Sequence, residues 1–252
     1  MKVIAIANRK GGVGKSTTAA ALINGLTLKG YKVLGVDLDA QRNLTSTMRA
    51  KADKTVLGVL TGDISIREAI IRTSGGDIVP ASRSLSGADA TITDTGKEYK
   101  LREAMEPVLA EYDYIILDCP PALGILTVNA LTAADSVIIP AQADIYSLEG
   151  IEDLQDTITP VKRYCNSKLE IAGILLTRYS GRSILSRDAT TLAERLAERL
   201  GTKVFNSKIR EAVAVKEAQI SRESLFSYAP RAKVTEDYRA FIEELLGKGD
   251  ND

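Results

Sequence analysis

The sequence predicts a doubly wound α/β fold, one mostly parallel sheet with helices on both faces. Three observations carry that prediction. Short β-branched apolar runs alternate along the chain with longer segments of helical periodicity, the pattern of strand–helix–strand crossovers. One of those runs leads into a glycine-rich loop and two end in aspartate, the edge where open α/β sheets carry their chemistry. The chain has 252 residues with 33 basic and 33 acidic side chains. That is enough for one large core, under a surface of ordinary soluble character.

The first run, Met1 to Ala7, contains Val3, Ile4 and Ile6 and reads as a buried strand. It is followed by Arg9-Lys10-Gly11-Gly12-Val13-Gly14-Lys15-Ser16-Thr17, and then by apolar residues at helical spacing from Thr18 to Lys29. A glycine-rich loop therefore joins a strand to a helix start. Gly11, Gly12 and Gly14 let the backbone curl and turn successive N–H groups inward. With the positive end of the helix, those groups make an anion cradle. Lys15 adds a point charge for β- and γ-phosphates, and the Ser16 hydroxyl is placed to ligate Mg²⁺. The run Gly11, Gly12, Val13, Gly14, Lys15, Ser16 and Thr17 is thus a nucleoside-triphosphate loop. It departs from the general pattern in having Arg9 at its first position and a second lysine, Lys10, at its entrance. Lys10 precedes the curl and can point outward.

Tyr31 to Asp37 is a second buried strand, with Asp37-Leu38-Asp39-Ala40-Gln41-Arg42-Asn43 at its carboxyl end. Strand alternation puts Asp37 and Asp39 on one side, either at the site or as caps for the next helix. Beyond Leu44 the pattern is weak. Short helices fit Val56–Leu60 and Ile66–Ile71, and a short strand fits Ile78–Pro80. Tyr99 to Glu111 is amphipathic, with Pro107 placed to kink or shorten it. Tyr114-Ile115-Ile116-Leu117-Asp118 is an apolar strand ending in a carboxylate. After a phosphate loop, Asp118 reads as the residue that holds Mg²⁺ through water, opposite Ser16. Strands are also predicted at Ser136–Pro140, Leu169–Thr177 and Lys203–Phe205. Helices are predicted at Ile151–Tyr164, Ser183–Leu200 and Val234–Leu246, the last packing on the sheet.

The stretches KGGVGKST, DLDAQRN and DCPPALGILTVNAL together resemble the ParA/MinD family of P-loop ATPases, in its DNA-partitioning ParA/Soj branch. The resemblance runs from the phosphate loop to the last helix. It implies one ATPase domain over residues 1–247, with 248–252 as a polar tail. It implies that Lys10 crosses to the γ-phosphate of a partner in an ATP-sandwich homodimer, and that Asp39 orients the attacking water. Ala40 and Arg42 stand where the family has proline and glycine, which leaves the shape of that turn open. The stretch Gln142 to Gly150 resembles a family segment in which Glu149 contacts the ribose. The family also places base contacts near Thr177 and Arg178, and its element matching Lys208–Gln219 closes over the adenine. ParA-type ATPases bind DNA non-specifically through C-terminal cations, for which Arg182, Arg210, Arg222 and Lys233 are the candidates here. A ParB-like or centromere-binding partner would stimulate hydrolysis.

Other classes are narrowed by composition. With no histidine, any catalysis uses carboxylates, lysines, hydroxyls, backbone and a metal ion. Cys119 and Cys165 have neither metal-ligand spacing nor a secreted-type framework. No apolar run is long enough to span a membrane. The opening strand feeds straight into the phosphate loop, which reads as core rather than as a signal peptide. The expected location is therefore cytoplasmic, and the resemblance implies association with the nucleoid. A MinD-like membrane switch and an iron–sulfur scaffold ATPase are the alternative functions.

Overall fold

The computed structural model describes residues 1–51, 53–180 and 184–247 and, for 145–149 and 184–187, the backbone alone. In chain order the elements are β1 (Lys2–Ile6), α1 (Lys15–Leu28), β2 (Val33–Asp37), α2 (Asn43–Thr47), α3 (Val56–Thr61) and α4 (Ile66–Ala69). Next come β3 (Asp77–Val79), α5 (Ala88–Thr91), α6 (Lys100–Met105), β4 (Tyr114–Asp118), α7 (Ile125–Ala133) and β5 (Ser136–Gln142). The chain continues through α8 (Ile145–Tyr164), β6 (Glu170–Thr177), α9 (Ile184–Arg199), α10 (Val213–Ser221), α11 (Leu225–Tyr228) and α12 (Lys233–Leu245). The strands form one parallel sheet in the order β3-β2-β4-β1-β5-β6. The predicted doubly wound architecture is thus observed, with β1 central between β4 and β5.

Side-chain alternation along β1 divides the core. Val3, Ala5 and Ala7 point into one layer with α3, α6, α7 and α8. Ile4 and Ile6 point into the other, with α1 and α12. Both faces of the strands are buried, as a sheet covered by helices on each side requires. The register sets Asp37 beside Asp118 and Ile6 beside Asp118, so three strand ends converge next to the loop that follows β1.

Several local predictions are refined or corrected. α12 packs on α1 within the sheet-facing layer that includes Ile4, Ile6 and Leu175, with Val234, Tyr238, Phe241 and Ile242 buried. The contact is close because Gly25 of α1 has no side chain: a Cβ there would run into Ile242 and lie 3.0 Å from the Phe226 ring. α8 begins at Ile145, a turn and a half before the predicted start at Ile151. The predicted strand at Lys203–Phe205 is a single bridge, Ile174 to Val204. Pro107 does interrupt the helix predicted from Tyr99 to Glu111, since α6 ends at Met105 and a 3-10 turn runs from Glu106 to Glu111. The tail residues 248–252 lie outside the described residues.

Candidate functional site

Between β1 and α1 the backbone folds around its own glycines. Gly12 (φ 76°) and Gly14 (φ 92°) take the left-handed conformation, and Gly14 is the N-cap of α1. A Cβ added at Gly11 or Gly12 would meet nothing within 4 Å, so this stretch faces open space. The loop is braced from neighbouring strand ends. Asn8 donates to the Pro140 carbonyl (2.8 Å) and accepts from the Lys10 N–H (3.0 Å). Gln142 donates to the Gly12 carbonyl (3.0 Å), and the Thr177 hydroxyl to the Val13 carbonyl (2.8 Å). The result is a ring of N–H groups held open at the positive end of a 14-residue helix. A cavity of about 430 Å³ opens over it, a size suited to a nucleotide.

The two lysines of the loop diverge. Lys15 is buried, and its ammonium spans the loop to the Lys10 carbonyl (3.0 Å). Burial pushes its pKa down, while Asp118, Cys119 and Asp39 oppose that shift. Lys10 turns the other way, toward the start of α8, where its ammonium pairs with Asp144 at 2.8 Å.

The two strand-end aspartates separate in role. Asp37 is fully buried and accepts from the Thr45 N–H (2.8 Å) and hydroxyl (2.6 Å) and from the Asp39 N–H (3.1 Å). It therefore fastens the start of α2 to β2, and burial raises its pKa to about 6. Asp39 lines the cavity, steadied by the Gln41 N–H on its Oδ1 (2.9 Å). Arg42, standing where the family has glycine, takes φ 59°. The turn here is thus left-handed at a residue for which that conformation is strained.

Asp118 is wholly buried, and neither carboxylate oxygen makes a hydrogen bond of normal geometry among the described residues, although the Ser16 hydroxyl stands close enough to stabilise its charge. Burial first and Asp37 second push its pKa well above the usual carboxylate range, against the Ser16 hydroxyl and Lys15. An orphaned carboxylate beside a helix-start hydroxyl fits a hydrated divalent cation. Among the described residues no group of three or more His, Cys, Asp or Glu converges as a metal cage. Mg²⁺ keeps waters and takes further ligands from substrate phosphates, so it needs few protein ligands.

The far side of the cavity is lined by Thr177, Arg178, Ile209, Ala212, Val215, Lys216 and Gln219. Thr177 is buried with its hydroxyl committed to the loop backbone, so it positions the loop. Arg178 is exposed at φ 47° on the rim. The side chain of Glu149 lies outside the described residues, as does Arg182. Arg210 also lines the cavity, and its exposed guanidinium is bidentate to Asp237 (2.7 and 2.6 Å). Arg222 and Lys233 are exposed. Asn8, Gln142 and Thr45 carry bracing roles that the sequence reading missed. The usable signal was a polar residue where a buried strand meets a loop.

A strand–loop–helix phosphate cradle, a buried lysine and a strand-end carboxylate at the centre of a parallel sheet define a P-loop nucleotide-binding protein. A family profile described as an AAA domain matches residues 1–171. The sporulation initiation inhibitor protein Soj of Bacillus subtilis is 38% identical over 254 residues, covering 98% of this chain and 99% of that protein. Chromosome partitioning protein ParA of Caulobacter vibrioides is 36% identical over 256 residues, covering 98% and 95%. Among solved structures, cobyrinic acid a,c-diamide synthase of Mycobacterium smegmatis with bound ADP and magnesium superposes with a TM-score of 0.84 at 35% identity, covering 98% of this chain and 94% of that one. The chain belongs to the ParA/Soj/MinD family of deviant Walker A P-loop ATPases.

Proposed function

We propose that this protein is an ATP-driven DNA-partitioning switch acting in the cytoplasm on the nucleoid. The observation that carries the reading is the divergence of the two loop lysines, Lys15 turned into the pocket and Lys10 out toward Asp144. One amine serves the chain's own triphosphate. The other leaves Asp144 to reach a triphosphate held by a second copy, so that ATP bridges a homodimer. The names of the relatives, ParA and Soj, support the partitioning role.

The chain's own groups account for slow hydrolysis. The loop N–H groups and Lys15 hold the β- and γ-phosphates, and Asp39 orients the attacking water and accepts its proton. Ser16 and Asp118 would hold Mg²⁺, whose charge stabilises the phosphoryl oxygens. No covalent intermediate is needed, so turnover depends on positioning that a ParB-like partner can complete. The exposed Arg222 and Lys233 provide phosphate contacts on DNA without reading bases.

An amide-forming reaction of the kind named for the mycobacterial structure is a weaker reading. A thiol that releases ammonia from an amide donor is activated by a neighbouring base such as histidine. This chain has no histidine, and Cys119 is buried with its thiol pushed far up. Phosphate release from ATP without any acceptor separates hydrolysis from amide formation.

The deciding experiment is gel retardation of arbitrary duplex DNA with ATP, ADP or no nucleotide across a salt series, with molar mass measured by light scattering. ATP-dependent dimers that shift any duplex and weaken steeply with salt are expected. A monomer that ignores DNA in the presence of a non-hydrolysable ATP analogue would refute the switch.

A further inference from the structure

We propose that Arg49 is a positioning residue for nucleotide retention: from just beyond α2 it holds the C-terminus of α10 and keeps that helix over the far side of the pocket. The inference rests on the nucleotide-binding reading above and assigns a residue to it.

α10 is poorly held by packing. Ala218 is its one buried side chain, while Val213 and Ile220 stand 69% and 83% exposed. Its other face, with Val215, Lys216 and Gln219, lines the cavity. Beyond the partial packing of Ala214 and Val215 on the core, it is held by polar contacts near its C-terminal end. Gln219 donates to the Thr17 hydroxyl at 3.0 Å, tying the helix to the phosphate loop. Arg49 donates through Nε to the Arg222 carbonyl (2.7 Å) and through Nη2 to the Ser221 carbonyl (3.0 Å), with Glu223 at 3.3 Å. Terminal carbonyls of a helix lack intrahelical donors, and a guanidinium there also meets the negative end of the helix dipole.

The backbone indicates that the clamp is built. Arg49 (φ 54°) and Arg222 (φ 52°) both take the left-handed conformation, which glycine would adopt without strain. α2 is in turn pinned to β2 by the Thr45–Asp37 bonds. A closed ring of contacts therefore runs from the carboxylate loop through α2 and Arg49 to α10, and through Gln219 back to Thr17. Arg49 joins the water-orienting side of the pocket to its far side.

The test uses Arg49→Gly, Arg49→Lys and Gln219→Ala in the full chain. Glycine suits φ 54°, so Arg49→Gly is expected to melt at or above the wild-type temperature while losing the clamp. Amide exchange across 213–223 in nucleotide-free protein is expected to rise about tenfold, and a fluorescent ADP analogue to leave roughly fivefold faster at unchanged association rate, the scale of one pair of charge-assisted hydrogen bonds. Arg49→Lys, which keeps charge but not the fork, is expected to fall between the two. Adding Gln219→Ala to Arg49→Gly is expected to give less than the product of the single effects, since both release one helix. Unchanged exchange in α10, unchanged release, or a drop of several degrees in melting would each overturn the proposal. Failure of the wild type to bind the analogue would instead strike at the nucleotide reading, and the exchange experiment would still decide the clamp.

Discussion

The phosphate side of the pocket comes from consecutive residues, Gly11 to Thr17, whereas the far side gathers Thr177 and Arg178 from one stretch and Ile209, Ala212, Val215 and Gln219 from another. The first is backbone chemistry set by glycine conformation and a helix terminus. Its bracing groups, Asn8, Gln142 and Thr177, bond main-chain atoms. The second is side-chain chemistry on lightly packed elements, and its hold depends on contacts such as Gln219 to Thr17. The phosphate side is thus contiguous in sequence but braced by bonds to residues 130 or more positions away, whereas the far side is itself assembled from distant segments.

That contrast is broken most directly at Lys15. Lys15→Ala is expected to weaken binding of a non-hydrolysable ATP analogue by about a hundredfold or more, read by calorimetry, because a buried charge partner of the phosphates is lost. Comparable loss from a far-side substitution would show the halves to be equivalent. Asp39→Ala is expected to slow single-turnover phosphate release by roughly a hundredfold with near wild-type nucleotide affinity. Loss of affinity instead would make Asp39 a binding group. Lys10→Ala is expected to leave affinity within about threefold while abolishing the ATP-dependent dimer by light scattering, since Lys10 faces away from its own pocket.

The buried carboxylates sharpen the comparison through pH. Asp37, raised to about 6 from 3.8 chiefly by burial, keeps its proton in the fold where the unfolded chain has released it. Its contribution favours folding, is complete below about 4, and is lost as pH rises through about 6. Asp118 is shifted in the same direction. Asp118→Asn is therefore expected to raise the melting temperature of nucleotide-free protein by a few degrees near neutral pH and to flatten its dependence on pH between the acid and neutral range, while abolishing Mg²⁺-dependent hydrolysis. Melting curves across that range decide it. Thr177→Val should have the smallest effect, about 1 kcal/mol of stability, because the buried Val13 and Ala141 carbonyls lose a donor. Denaturant titration would reveal it, with nucleotide affinity changed less than threefold.

The phosphate loop, the strand-end aspartates and the order of strands and helices could be read from residue order because their causes lie within a few residues. Glycine spacing dictates a curl, apolar runs dictate buried strands, and a helix begins where the curl ends. Asp37 and Asp39 could not be told apart that way. Only Leu38 separates them, yet one is consumed by Thr45 and the other lines the cavity, a distinction made by where α2 packs. The partner of Arg210 was not legible either: Asp237, 27 positions later, meets both arms of its guanidinium. Gly25 gave no sequence-level sign of its role until Ile242 and Phe226 were seen against it. Local covalent geometry and hydrophobic period are written residue by residue. The pairing of a charge, the choice between two like carboxylates and the distance between two helices depend on groups the chain meets only after it has folded.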